Sequence, residues 1–526
     1  MAIVYKIFPA IGVARIGNSD ADYFLGPESP GIAPSGPYRD KTPEKKIKPQ
    51  AVRFRVYQFE RDEFGKETCI REVTLKKGTS IEWSIQLVNR KAAGGIFPPG
   101  GSTATPRNRD YDRSGLVIDS LPQSISGKLS CAKELSGEIN FIKNGNIEGN
   151  ARVKLAKIST DSKGRLLVIG GPGESRSPLN SSLYGFANND GWYDSVSDGP
   201  VTATIKMDGT EPVIAEGGAW VLVAPPSYAP EIDNVVTWYD QALNVVARDF
   251  TPQLMSRVPS FTADIFPILK RTYLLSWVLK GGQRYHGGAG NFLDPSRINA
   301  MADNSDASRP ARERVFNKLV PPNTSAPRSE VLPDPPKNMP RLYSGVDPDD
   351  PSRYEYAALT ALQYTMMRRW AEGNFVADWD GEPNFVEIKK LPLDMQPAAL
   401  TRAALEACIG GPFYPGIEAT YLIAQRETYI EPFRIDPRHP AGFLTERMAL
   451  PWQADFEECG DFWWPAQRPV EVTAGDGNRV PFSRGVNGKS DMVQWWTELG
   501  FIVRKGTKYV ESERQPIPPE PINGDS

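Results

Sequence analysis

Residues 451–469, PWQADFEECGDFWWPAQRP, gather Asp455, Cys459 and three tryptophans, Trp452, Trp463 and Trp464, into nineteen positions. Pro451 suits the first position of a helix and Gly460 the position just past a helix end. A short helix between them puts Asp455 and Cys459 at i and i+4, one turn apart on one face. A carboxylate so placed can take the proton of the thiol, and an indole nearby supplies an electron-rich ring. Thiol, indole and carboxylate are the raw material of a cofactor made from the protein's own side chains. They are equally the material of an ordinary core, with tryptophan buried and Asp455 capping or ion-paired.

Other chemistries have less to work with. There are four cysteines, Cys69, Cys131, Cys408 and Cys459, with no C-x-x-C pair, and two histidines, His286 and His439. Zinc sites want Cys and His clustered at tight spacing, so the sequence predicts no metal site. Nucleophilic devices that lean on a histidine base are short of histidine as well. The run VIGGPGES, 168–175, lacks the Gly-Lys-Ser/Thr ending of a phosphate loop and reads as a tight turn at a strand end. NNDGWYDSVSDGP, 188–200, carries three aspartates without the spacing of a calcium loop. It reads as a loop held by Asx turns that could wall a site. Cys408 closes an apparent helix and reads as a small buried residue.

These residues must be positioned by a chain of 526 residues with a formal net charge of -3. That balance offers no basic field for nucleic acid or an anionic membrane. No apolar run approaches the roughly 18 residues that span a bilayer. The opening MAIVYKIFPAIGVARIGNS is broken by Lys6, Pro9 and Arg15, so it reads as a strand entering a glycine turn and not as a signal peptide. A cytoplasmic location is expected. Gly and Pro number 46 and 48, roughly 18% together against about 12% in average usage, which points to many turns and ordered loops. AVRFRVYQFE, TSIEWSIQLVN, GRLLVIGG, PVTATIKM and AWVLVAPP have strand character, whereas NVVTWYDQALNVVARDF, FPILKRTYLLSWVL and YEYAALTALQYTMMRRWAEG have helical spacing. The fold class is α+β, with a β-rich domain over 1–235 and a mainly helical, loop-rich domain over 236–526. Residues 288–350, rich in Pro, Asn, Ser and Arg, read as a long packed loop.

Several stretches in order resemble one family. FPAIGVARIGNSDADYFLGPE, NNDGWYDSVSDGPVTATI, GGPFYPGIE, MALPWQADFEEC, WWPAQRP and DMVQWWTELGF are similar to markers of the cysteine tryptophylquinone (CTQ) amino-acid oxidases, from residue 8 to residue 501. The resemblance implies a thioether-linked cysteine and tryptophan whose indole is oxidised to an ortho-quinone. The matching cysteine is Cys459 and the required aspartate Asp455. The partner indole corresponds to Trp496, with Trp463 and Trp464 as alternatives. Tyr509 matches an aromatic near the quinone, and Trp464 and His286 are the expected substrate-binding residues. The implied activity is oxidative deamination of a primary amine of an amino acid by O2, giving peroxide and ammonia. The implied partners are an amino-acid substrate, a flavoprotein that helps make the quinone, and further copies of this chain. The alternative is a relative with Cys459 unmodified that serves binding or scaffolding.

Overall fold

The structure, a computed structural model, describes residues 1–94, 106–287, 291–322, 325–327, 339–340, 343–346, 353–356, 358–410, 419–458 and 465–518. The apolar runs of the first part become strands of one large sheet. Its central path runs Lys133–Lys143, Asn146–Thr160, Leu166–Gly170, Gln50–Arg61, Ile11–Arg15, Ala219–Ala224, Ser197–Met207, Thr79–Ile85 and Gln123–Ser126. Ile11–Arg15 and Ala219–Ala224 pair in parallel, while their neighbours on this path pair antiparallel. These two strands are buried throughout, so they read as continuous apolar runs and not as alternation. The first hairpin turns at Asn144 and Gly145, with φ of 51 and 79 degrees. Asn-Gly is the pair that tolerates two left-handed residues in a two-residue hairpin turn.

The second half supplies helices that cover this sheet. Trp238–Val245 and Ala361–Ala371 each start in a capping box, Thr237 with Asp240 and Thr360 with Gln363. Ile11, Val13, Trp220 and Leu222 on one face of the central strands pack with Trp238, Ala242, Leu405 and Cys408 from the helices. Ala14, Val221 and Val223, alternating with them, join the larger core that reaches Trp452, Trp496 and Tyr509. Residues 288–350 depart from the expected loop. They contain the helices Pro295–Ala302 and Arg309–Phe316, each with proline in its first turn, and Asp294 caps the former. Proline there costs no hydrogen bond, so a proline-rich stretch can open a helix. No helix among the described residues is long and apolar enough to cross a membrane.

The chain returns to the sheet at residues 444–452, and a buried carboxylate holds it there. Asp198, in the strand Ser197–Met207, accepts from Leu444 N–H at 3.0 Å, Thr445 N–H at 2.8 Å, the Thr445 hydroxyl at 2.7 Å and the Trp220 indole at 2.8 Å. Burial outweighs these donors and pushes its carboxyl up to about 6 from 3.8. Between those two values the folded chain therefore binds more protons than the unfolded one, and stability falls as pH rises. Measured against Asp198→Asn, which removes the titration, the wild type should lose about 1–3 kcal/mol between about pH 4 and pH 7 in urea unfolding.

Candidate active site

Trp452–Glu458 forms a short helix whose residues from Trp452 to Phe456 are all buried. A helix enclosed on every side needs its polar groups satisfied by the surrounding chain. The Trp452 N–H donates to the Asp194 carboxylate at 3.1 Å, and the Ser175 hydroxyl donates to the Gln453 side chain at 2.7 Å. At the other end the Arg468 guanidinium donates to the Glu457 carbonyl at 3.1 Å. The approach to the helix is held as firmly. Arg107 donates to the carbonyls of Met448 at 2.7 Å and Glu446 at 3.1 Å, and Asn189 to that of Leu450 at 2.9 Å. Asp455 sits in the middle of this helix at 1 % exposure.

Against it lies the helix Lys489–Trp495, which tightens into a turn over Trp496–Glu498. The structure buries Trp496 to 5 % exposure and leaves Trp495 half-buried. The Trp496 ring meets Trp452 edge to face, with centroids 5.4 Å apart and planes at 72°. Trp452 meets Phe456 in the same way at 5.3 Å and 86°. The Trp496 carbonyl accepts from the Tyr228 hydroxyl at 2.5 Å, and Arg39 donates to the carbonyls of Thr497 and Leu499 at 2.6 and 2.9 Å. Gly173, at φ +76°, closely approaches the six-membered ring. A Cβ there would stand 2.6 Å from Trp496 Cζ2 and 2.9 Å from Cη2.

The tertiary structure thus brings Asp455, Trp452 and Trp496 into one buried region. Cys459, together with Trp463 and Trp464, falls outside the described residues, in the chain that follows Glu458 directly. Tyr509 lies on the strand Lys508–Ser512, its ring against Trp277 at 6.0 Å, and burial pushes its hydroxyl up to about 12. It lines a cavity of about 610 Å³ shared with Glu231, Asp233, Lys270 and Arg504. His286 ends the helix Lys280–His286 and packs on Phe292 at 5.6 Å. It faces a different, more apolar cavity of about 910 Å³, and burial lowers its basicity. Sequence reasoning overlooked Gly173, Ser175, Lys91 and Arg107. For Gly173 the available signal was the strand-end turn VIGGPGES. For Asp194 it was the aspartate-bearing loop already suspected as a wall.

A buried indole beside a carboxylate-bearing helix, with a cysteine next in the sequence, is the material from which quinoprotein oxidases build a cofactor of tryptophan and cysteine. Comparison with known proteins agrees. Residues 8–223 match the family model of the L-lysine ε-oxidase N-terminal region, and residues 341–475 match that of the L-lysine ε-oxidase C-terminal domain. L-lysine 6-oxidase of Marinomonas mediterranea is 26% identical over 664 aligned positions, covering 94% of this chain and 87% of that protein. The crystal structure of the L-Lys ε-oxidase from M. mediterranea shares the fold, with a TM-score of 0.77 at 24% identity over 97% of this chain and 95% of that one. Its Schiff base intermediate with L-Lys superposes with a TM-score of 0.76 at the same identity and coverage. This chain belongs to the L-lysine ε-oxidase family. It is an oxidoreductase of the CH–NH2 group with O2 as acceptor, releasing peroxide and ammonia from an amino acid through a protein-derived CTQ.

The residues present suit that group. The Trp452 indole nitrogen is buried and has no hydrogen-bond partner among the described residues. A quinone oxygen is the kind of acceptor such a donor takes. The Gly173 backbone leaves the benzo edge of Trp496 room that any Cβ would fill. Gly173→Ala should therefore displace the indole and strain a left-handed residue. We expect a loss of roughly 1–3 kcal/mol in urea unfolding and less cross-linked peptide in the digest of the matured protein. Normal stability with a full cross-link would show that this contact does not position the ring.

Proposed function

We propose that Cys459 and Trp496 form the CTQ of this chain and that Asp455 is the proton acceptor beside it. One observation carries this reading: the buried Trp496 ring packs edge to face on the helix that bears Asp455 and leads into Cys459. When formed, the quinone supplies a carbonyl electrophile that takes up a primary amine and accepts its electrons, which O2 then removes. The chain's own residues set the conditions. The Asp455 carboxylate takes a proton from thiol or indole while the cofactor is assembled, and from the amine-bearing carbon of the substrate during turnover. The enclosure of the Trp452–Glu458 helix keeps water from competing for that proton. Trp452 offers its indole N–H to the oxidised ring, and Gly173 leaves the room that the benzo edge of the ring occupies beside the strand-end turn.

The substrate is an amino acid bearing a primary amine, with L-lysine the first to test because the relatives act on it. The cavity at Tyr509 carries both signs of charge, which suits a zwitterion; Trp464 and His286 are proposed on the substrate side from the resemblance alone, since His286 faces the other cavity. Oxidising an indole to a quinone consumes an oxidant, and a flavoprotein partner is the proposed source. Self-association of the chain belongs to the same reading and is read by sedimentation.

Asp455→Asn tests the assignment. The two side chains are nearly isosteric, so the variant should fold, yet an amide cannot accept the proton. We expect protein without the Cys459–Trp496 cross-link in peptide maps, without quinone absorbance and without turnover. A mature, coloured variant slowed by about 10²–10⁴-fold would confine Asp455 to substrate oxidation. A fully coloured, fully active variant would remove it from the site.

A further inference from the structure

Lys91 is wholly buried, and its ammonium donates to Oδ2 of the equally buried Asp194. The same Oδ2 accepts the Trp452 N–H at 3.1 Å, so one oxygen joins the lysine to the first residue of the helix that carries Asp455. The other oxygen of Asp194 accepts from the Asn89 amide at 3.0 Å and Val196 N–H at 3.2 Å, and Asn89 returns its own oxygen to Lys91 N–H at 2.9 Å. This clasp fixes Lys91 in one place. Burial lowers the basicity of Lys91, Asp194 beside it opposes that most strongly, Arg107 adds to the lowering and Asp455 opposes it. Arg107 in turn is faced by Asp194, Glu446, Asp190 and Arg113. Lys91 and Arg107 thus carry two positive charges into a buried region that holds the carboxylates of Asp194 and Asp455. A buried charge is tolerated where opposite charge compensates it.

We propose that Lys91 is a positioning residue for the reaction: its ammonium, clasped on Asp194 beneath the Trp452–Glu458 helix, keeps the Asp455 carboxylate charged and ready to accept a proton. This rests on the reading of Asp455 as the proton acceptor. It also goes beyond that reading, because it gives a carboxylate with almost no contact with solvent a compensating positive charge nearby. Asp194 holds the lysine in place and helps to keep it charged against its burial.

A charge effect has a fixed direction at Asp455, which a purely structural role would not have. Removing a nearby positive charge makes a carboxylate harder to ionise. Lys91→Met should move the Asp455 titration up by about one pH unit or more, and Asp194→Asn, which takes away the partner that keeps the buried Lys91 charged, should move it the same way. Two readouts follow it. One is the protonated-carboxyl infrared band of the full chain, assigned to Asp455 by its absence in Asp455→Asn, and this needs no mature cofactor. The other is the acid limb of kcat/KM in the mature enzyme, where Lys91→Met should lower the rate by about 10-fold on the acid side. If Lys91→Met does not fold, Lys91→Gln, which keeps a donor for Asp194 without the charge, carries the same expectation. An Asp455 band that titrates at the wild-type pH in both Lys91 variants, whatever their melting temperatures, overturns the proposal. That result leaves the role of Asp455 standing, whereas a fully active Asp455→Asn would fail the underlying reading instead.

Discussion

The Asp194 carboxylate, with no contact with solvent, must find all its hydrogen bonds within the protein, and its position follows from that requirement. It meets Asn89, Lys91 and Val196 on the sheet side and the Trp452 N–H on the helix side, 258 residues away in the chain. A charge buried in this way is costly unless paired, and removing one member of such a pair typically costs about 3–5 kcal/mol. The helix bearing Asp455 can therefore dock on the aspartate loop in one register only. Four residues on, Asp198 makes the same kind of connection to Leu444, Thr445 and Trp220. Between them, two buried aspartates, Asp194 in the loop and Asp198 at the start of the strand Ser197–Met207, clamp both ends of the segment that enters the site.

The remaining polar anchors extend this clamp. Arg107, Asn189 and Ala187 pair with backbone groups from Glu446 to Leu450, so that segment spends its hydrogen bonds on side chains and loop backbone without joining a sheet. Aromatic packing then fills the space beyond it. Tyr228 touches Phe456, Phe482 and Phe501, and its hydroxyl fixes the Trp496 carbonyl. Ring orientation at Trp496 is thereby over-determined, by Trp452 on one side, Gly173 on another and the backbone below. Such rigidity matches a role in which a side chain is itself chemically modified, since the reacting atoms must be held before any cofactor exists.

Much of this was legible in the chain. Pro451 and the run that follows it gave the right place for a short helix, Trp452–Glu458, while Cys459, the expected partner of Asp455 on its face, lies just outside the described residues. The alternating and continuous apolar runs before residue 235 marked the strands, and resemblance singled out Trp496 over its neighbour Trp495. Helices at Pro295–Ala302 and Arg309–Phe316 were lost to the reading of proline as loop, because proline's tolerance in a first turn is invisible until the cap residue is placed.

Local sequence therefore determined the elements and the chemically capable residue types, since helix caps, strand periodicity and an i, i+4 pair are matters of a few neighbouring positions. It could not determine which distant groups those residues meet. That Lys91 and Asp194 lie beneath the Trp452–Glu458 helix, that Gly173 rather than any larger residue faces Trp496, and that Tyr509 and His286 open onto separate cavities were decided by tertiary packing. The physical reason is the same in each case. Compensation of a buried charge and exclusion of a Cβ are properties of contacts between segments far apart in the chain, and no window along one segment contains both partners.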